Sequence, residues 1–249
     1  MKVKFCLVNL LLASLLAGAS QAQAKPENLP VDLTSTQTEF LSSKTERQSM
    51  DQNLDQQSKL LEEVGIKFNA GFELADLIQM WGGQALVEVG PMQLIEFTAI
   101  GLESEPDQAI ANVTATSMGD SLFSDQDYPN LIKKLASAAG VISELEIKKS
   151  QIDWDNQSAL VEFEFKGNLY RIKPIINGHQ PDMQALSATA SLFENQTDED
   201  LTSVVYISQG YAYWLYVNED YFDLLEQRLE AVDLLETTFI IDYSVERVN

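Results

Sequence analysis

The stretch VEFEFKGNLYRI, Val161 to Ile172, alternates apolar and charged side chains about a glycine. Val161, Phe163 and Phe165 alternate with Glu162, Glu164 and Lys166, and Tyr170 and Ile172 resume the apolar face after Gly167 and Asn168. A period of two around a glycine turn is the mark of an antiparallel hairpin with one buried face. A turn at Gly167 and Asn168 sets Glu164 opposite Arg171 and Glu162 opposite Lys173, with Phe165 facing Tyr170 and Phe163 facing Ile172.

Working outward, residues 145–154 read as a third strand turning at Asp155 and Asn156. Asn177 and Gly178 mark a turn, Asp182 caps a helix over roughly 183–194, and Asp198 to Asp200 form an acidic loop. Val204–Ile207 and Tyr211–Val217 form a second hairpin about Gln209 and Gly210. Asn218 then caps a helix with Tyr221, Leu225, Leu229, Val232 and Leu235 on one face, and Thr238 to Val245 read as a last strand. Val161, Gly167 and Tyr170 in one hairpin share their spacing with Val204, Gly210 and Tyr213 in the other, which suggests a duplicated ββα unit.

The half that precedes Gly140 is read as helical. Met50, Leu54, Leu61 and Val64 give a thin apolar stripe ended at Gly65. Helices are expected from about Glu73 to Trp81 and from Pro91 to Gly101, with a short strand over Ala85 to Val89. Ser104 to Asp107 read as a helix start leading into small residues through Ser117, and another helix begins near Pro129 and ends at Gly140. The expected class is α+β. A polar flexible leader over 25–60 precedes a mainly helical region over 61–140 and an antiparallel-sheet region with packed helices over 141–249, the last two able to join in one domain.

Residues 1–24 read as a cleavable signal peptide, which places the protein in the periplasm or outside the cell. Lys2 and Lys4 precede an apolar run, Phe5 to Leu16, and Ala22, Gln23 and Ala24 give a small-x-small cleavage pattern. About 12 apolar residues fall short of the ~20 that span a hydrocarbon core. Cleavage removes Cys6, the one cysteine, so neither disulfides nor a thiolate nucleophile are expected in the exported chain.

The chain holds 38 acidic and 16 basic residues, a formal charge of −22 at pH 7, and cleavage takes two lysines and no acid. A polyanion without a basic stripe repels phosphate, so nucleic acid is excluded as a partner and a cationic protein or peptide is favoured. His179 is the one histidine, and with no other His or Cys left after cleavage a zinc site lacks its usual ligands. Of the metal ions calcium fits best, with Asp120, Asp125 and Asp127 in one loop and Asp198, Glu199 and Asp200 in another, but no cofactor is expected, because helix capping and a solvated loop account better for the two sets. Asp153, Asp155 and Glu164 imitate EF-hand spacing, but Ser158 stands where that loop needs glycine. Asn112, Asn156 and Asn195 head glycosylation sequons.

Two surfaces suit a binding role. Tyr206, Tyr211, Tyr213, Trp214 and Tyr216 crowd one hairpin, with Tyr211 and Tyr213 on one face and Trp214 and Tyr216 on the other. Glu219, Asp223, Glu226, Glu230 and Asp233 make an acidic stripe on the helix that follows. The favoured reading is an exported, non-enzymatic binding protein that engages a cationic protein or peptide. The alternatives are a secreted carboxylate hydrolase acting on glycans, for which Glu88 and Glu96 are the acids in apolar surroundings, and a structural envelope protein. The exported form is expected to begin at Lys25, and intact-mass measurement of secreted material checks this.

Overall fold

The computed structural model describes residues 44–68, 77, 81, 86, 88–101, 111–194, 201–229, 235–236 and 245–248. The signal segment and the loop at Asp198 to Asp200 lie outside them. The described residues belong to one compact unit, Thr38–Asn249.

In chain order the elements are α1 (Lys44–Glu63), α2 (Pro91–Gly101), β1 (Val113–Ser117), α3 (Asp127–Ala138), β2 (Leu145–Asp153), β3 (Ser158–Phe165), β4 (Asn168–Ile172), α4 (Met183–Glu194), β5 (Leu201–Ser208), β6 (Tyr211–Asn218), α5 (Glu219–Leu229), β7 (Leu235–Glu236) and β8 (Glu246–Val248). The fold is α+β, with two antiparallel four-stranded sheets: β1-β6-β5-β7 and β2-β3-β4-β8.

The first sheet buries both faces. Alternation along β6 sends Tyr213, Leu215 and Val217 into a core with Met50, Leu54 and Leu61 of α1, Leu94 and Ile95 of α2 and Leu225 of α5. Ala212, Trp214 and Tyr216 enter a second core, shared with α3, α4 and the apolar face of the other sheet, Val161, Phe163 and Phe165. Helix α4 contributes to this second core and is buried almost all round, and its run Ala185, Leu186, Ser187, Ala188, Thr189, Ala190 and Ser191 is built mostly of small residues. Small side chains let it pack closely on its neighbours. Thr189 satisfies its buried hydroxyl on the Ala185 carbonyl, 2.8 Å away.

Helix ends follow their local chemistry. Gly65 (φ +84°) ends α1, with Gly65 N–H bonded to Glu62 O and Ile66 N–H to Leu61 O. Gly140 (φ +75°) ends α3 in the same way, through Ser137 O and Ala136 O. Asp182 caps α4 by accepting from Gln184 N and Ala185 N, and Asn218 accepts from Asp220 N at the start of α5.

Several expectations need correction. Helix α1 begins at Lys44, inside the expected leader, and its thin stripe of Met50, Leu54, Leu61 and Val64 is buried, so a narrow apolar face suffices once α2 and the sheet cover it. Val113–Ser117 is a strand, not a helix end: Val113, Thr114 and Thr116 are β-branched and pair with β6. Leu86 is helical and Glu88 lies in a turn, so the described residues of the expected strand over Ala85 to Val89 are not extended in a sheet. Leu235 pairs with Val205 instead of continuing α5, a case of sheet pairing overriding helical spacing. The expected strand over Thr238 to Val245 lies outside the described residues except for Val245, and the described C-terminal strand is β8.

The β3–β4 register differs by two residues from the expected one. Its turn is Lys166-Gly167, with φ of 49° and 71°, so Phe165 pairs with Asn168, Phe163 with Tyr170 and Glu162 with Arg171. A two-residue turn of this hand needs positive φ at both positions, and glycine serves best at the second. The face assignment survives because the shift is even. Gln209-Gly210 repeats the turn in β5–β6, where Tyr206 pairs with Tyr213 as Phe163 pairs with Tyr170. A helix follows each hairpin, α4 and α5, but the next strand is added beside β3 in one sheet and beside β6 in the other.

Asn112 joins the helical layer to the first sheet. Its Oδ1 accepts from Lys67 N (2.9 Å), and its Nδ2 donates to Gly65 O (2.8 Å) and Tyr216 O (2.7 Å). Truncating it leaves three backbone groups without partners, each costing about 1–3 kcal/mol where water cannot reach. Asn112→Ala is expected to lose about 3 kcal/mol or more in urea denaturation, whereas Asn156→Ala in an exposed turn should lose about 1 kcal/mol or less.

Candidate functional site

The sequence-expected aromatic surface is mostly interior. Tyr213, Trp214 and Tyr216 are buried, Tyr206 and Tyr211 are partly buried, and both faces of the hairpin are covered. In the acidic stripe Glu219 and Asp223 are exposed; the side chain of Glu226, and Glu230 and Asp233 altogether, lie outside the described residues.

An exposed aromatic group occurs instead where three loops meet. Phe123 precedes α3, Trp154 opens the β2–β3 turn, and His179 sits in the turn before α4. Phe123 is 68% exposed and Trp154 40%, and each ring lies 5.1 Å from the His179 ring, at 24° and 48°. Ile175, 74% exposed, stands at the foot of the same turn, where Ser158 bridges to it.

The loops are fixed by backbone bonds. His179 O accepts from Ser121 N and Leu122 N, both at 2.9 Å, and His179 Nδ1 lies 2.5 Å from Leu122 O. Asp127 Oδ2 accepts from Phe123 N and Ser124 N at 2.6 and 2.7 Å, which holds Phe123 above the start of α3. Asp125 Oδ1 accepts from Ile152 N at 2.6 Å and its carbonyl from Ser150 Oγ, tying this loop to β2. Asp153 takes two bonds from Asn156, side chain first and then backbone, and these hold its carboxyl below the usual range. Four aspartates therefore shape the surface: Asp125, Asp127, Asp153 and Asp182.

The loop segments that carry the rings are acidic, and the lysines nearest in sequence are Lys133 and Lys134, Lys148 and Lys149, Lys166 and Lys173. Asp120, Asp125, Asp127, Asp153, Asp155 and Asp182 lie in the contributing segments, and no Lys or Arg occurs in residues 118–132, 150–165 or 174–194. Among the described residues no group of three His, Cys, Asp or Glu is placed to hold a metal ion. Asp125 and Asp127 serve as backbone acceptors. The cue for Trp154 was available in Asp153-Trp154-Asp155, because an aromatic between two acids in a turn has no core to enter.

Elsewhere Glu96 is buried and accepts from Tyr206 Oη at 2.5 Å and Gln209 Nε2 at 3.3 Å, while Glu88 is exposed. The two acids thus occupy different environments. A cavity of about 550 Å³ near the end of α3 is lined by Lys67, Lys166, Asn218, Tyr221 and one acid, Glu144. It does not present the facing pair of carboxylates that glycoside hydrolysis needs.

No family model matches this chain, and no curated protein or solved structure matches it either.

Burial pushes the Tyr206 hydroxyl up, with the Glu96 hydrogen bond adding to it; burial and then Glu96 do the same at Tyr213, and burial does so at Tyr216. The folded chain therefore keeps these protons after the unfolded chain has lost them. Their contribution is complete below the ordinary tyrosine value near pH 10 and is lost as pH rises above it. Stability measured from about pH 9 to 11 should fall, and Tyr213→Phe should flatten the decline.

Proposed function

We propose that this is an exported binding protein that engages a cationic protein or peptide, and that Phe123, Trp154 and His179 form the contact surface. One observation carries the reading: two large rings stand exposed beside a histidine, in segments that hold six aspartates and no basic residue. Exposed apolar surface in a water-soluble layer marks a docking site more often than a structural need. Aromatic faces attract cations, and a field of one sign steers a partner of the other sign to them. The polar character of the surroundings keeps the free protein from burying the rings against itself. Exposed Glu219 and Asp223 on α5 add to the same long-range field.

The non-enzymatic reading is preferred over a carboxylate hydrolase because the rings stand on projecting loops, not around a cleft with two facing acids. Export follows from the expected signal segment and sets the compartment in which the partner is met.

A labelled Lys/Arg-rich peptide should bind the intact protein at low ionic strength and weaken about tenfold or more near 0.5 M salt, read by fluorescence anisotropy. Phe123→Ser combined with Trp154→Ser should weaken binding about fivefold or more while leaving the melting temperature nearly unchanged. Binding that ignores both salt and the double substitution would sink the proposal.

A further inference from the structure

The Leu122 carbonyl can only accept, so its 2.5 Å approach to His179 Nδ1 puts the ring proton on that nitrogen. The neutral imidazole then carries a free lone pair at Nε2, and no described residue bonds to it. The ring is exposed, and an exposed ring flanks it at 5.1 Å on each of two contacts. An acceptor beside two aromatic rings, on loops rich in aspartate, suits a planar cation with several N–H donors. Guanidinium fits that description, since it stacks on rings and donates in its own plane. An ammonium group does not stack in this way.

Resting on the proposed partner class, we infer that His179 Nε2 accepts a hydrogen bond from an arginine side chain of the partner, and that protonating His179 releases it. Protonation converts Nε2 from acceptor to donor and sets a positive charge against the guanidinium. The charged and titratable groups on the surrounding elements are Asp120, Asp125, Asp127 and Tyr128 at the start of α3, with Lys133 and Lys134 further along it; Asp153 and Asp155 at the β2–β3 turn, with Lys148 and Lys149 on β2 and Glu162 and Glu164 on β3; and Asp182 after His179, with Lys173 before it. Lys148 and Lys173 are paired with glutamates, and none of these lysines bonds to His179 among the described residues. His179 is the one histidine of the chain.

That singularity supplies the readout, because the imidazole Cε1–H signal of the intact protein belongs to His179 alone. The probe is a blocked Gly-Arg-Gly-Arg-Gly peptide, compared with its lysine and its uncharged citrulline counterparts, titrated near pH 8 and near pH 5.5. The arginine peptide should move the signal saturably near pH 8 and bind about tenfold more weakly near pH 5.5, with the citrulline peptide inert. His179→Phe keeps the ring but loses the acceptor, and should bind about tenfold more weakly near pH 8 with no dependence on pH. Equal affinities at the two pH values, a His179→Phe variant with the wild-type pH profile, or a lysine peptide as tight as the arginine one would each overturn the inference while leaving the cationic-partner reading standing. If neither cationic peptide binds at either pH, that broader reading falls as well.

Discussion

The carboxamide of Asn112 holds together parts of the chain that no continuous element connects. It satisfies the exit of α1 at Gly65 and Lys67 and, through Tyr216 O, the far end of β6, while its own carbonyl accepts from Tyr216 N. An amide is the one uncharged side chain that can both accept and donate twice, so neither aspartate nor leucine reproduces the joint. The position also heads a sequon, and its nitrogen is already shared between two carbonyls. With that joint made, α1 covers one face of the first sheet and the helical layer becomes part of a single fold.

Covering both faces of the first sheet decides where function can reside. The aromatic hairpin is consumed as core: Tyr213 serves the helical side, and Trp214 and Tyr216 serve the side shared with the second sheet. Tyr213 Oη and Trp214 Nε1 find no hydrogen-bond partner there, so these residues are kept for packing area despite a polar cost. Among the described residues, Phe123 and Trp154 stand exposed at the loop end instead. There short acidic side chains are spent on backbone N–H groups, and the rings they carry are turned outward.

The hairpins, the Asp182 and Asn218 caps and the glycine helix stops were legible because each depends on chemistry within a few residues. Assignments that depend on distant pairing were not. Val113 to Ser117 reads as a small-residue helix end until β6 is placed beside it, and Leu235 fits a helical stripe until Val205 claims it. The β3–β4 register failed over one detail, the preference for glycine at the second turn position, although the buried face was assigned properly. For exposed rings, residue setting was a better guide than residue type. A cluster of tyrosines predicts burial as readily as contact, whereas Phe123 and Trp154 lie within turns rich in aspartate, where burial has no route.

Strand β2 lies at the edge of its sheet, and such an edge is an invitation to pair with another chain. Its defences are a bulge between Ile147 and Lys149, the lysines at 148 and 149, and Asp125, which occupies the Ile152 N–H from outside. The loop that raises Phe123 into solvent thus also seals the neighbouring strand. At this end the exposed apolar surface is therefore made of side chains, which can discriminate by shape and charge, while part of the strand edge beside it, an open backbone that would pair indiscriminately, is taken up from within the chain.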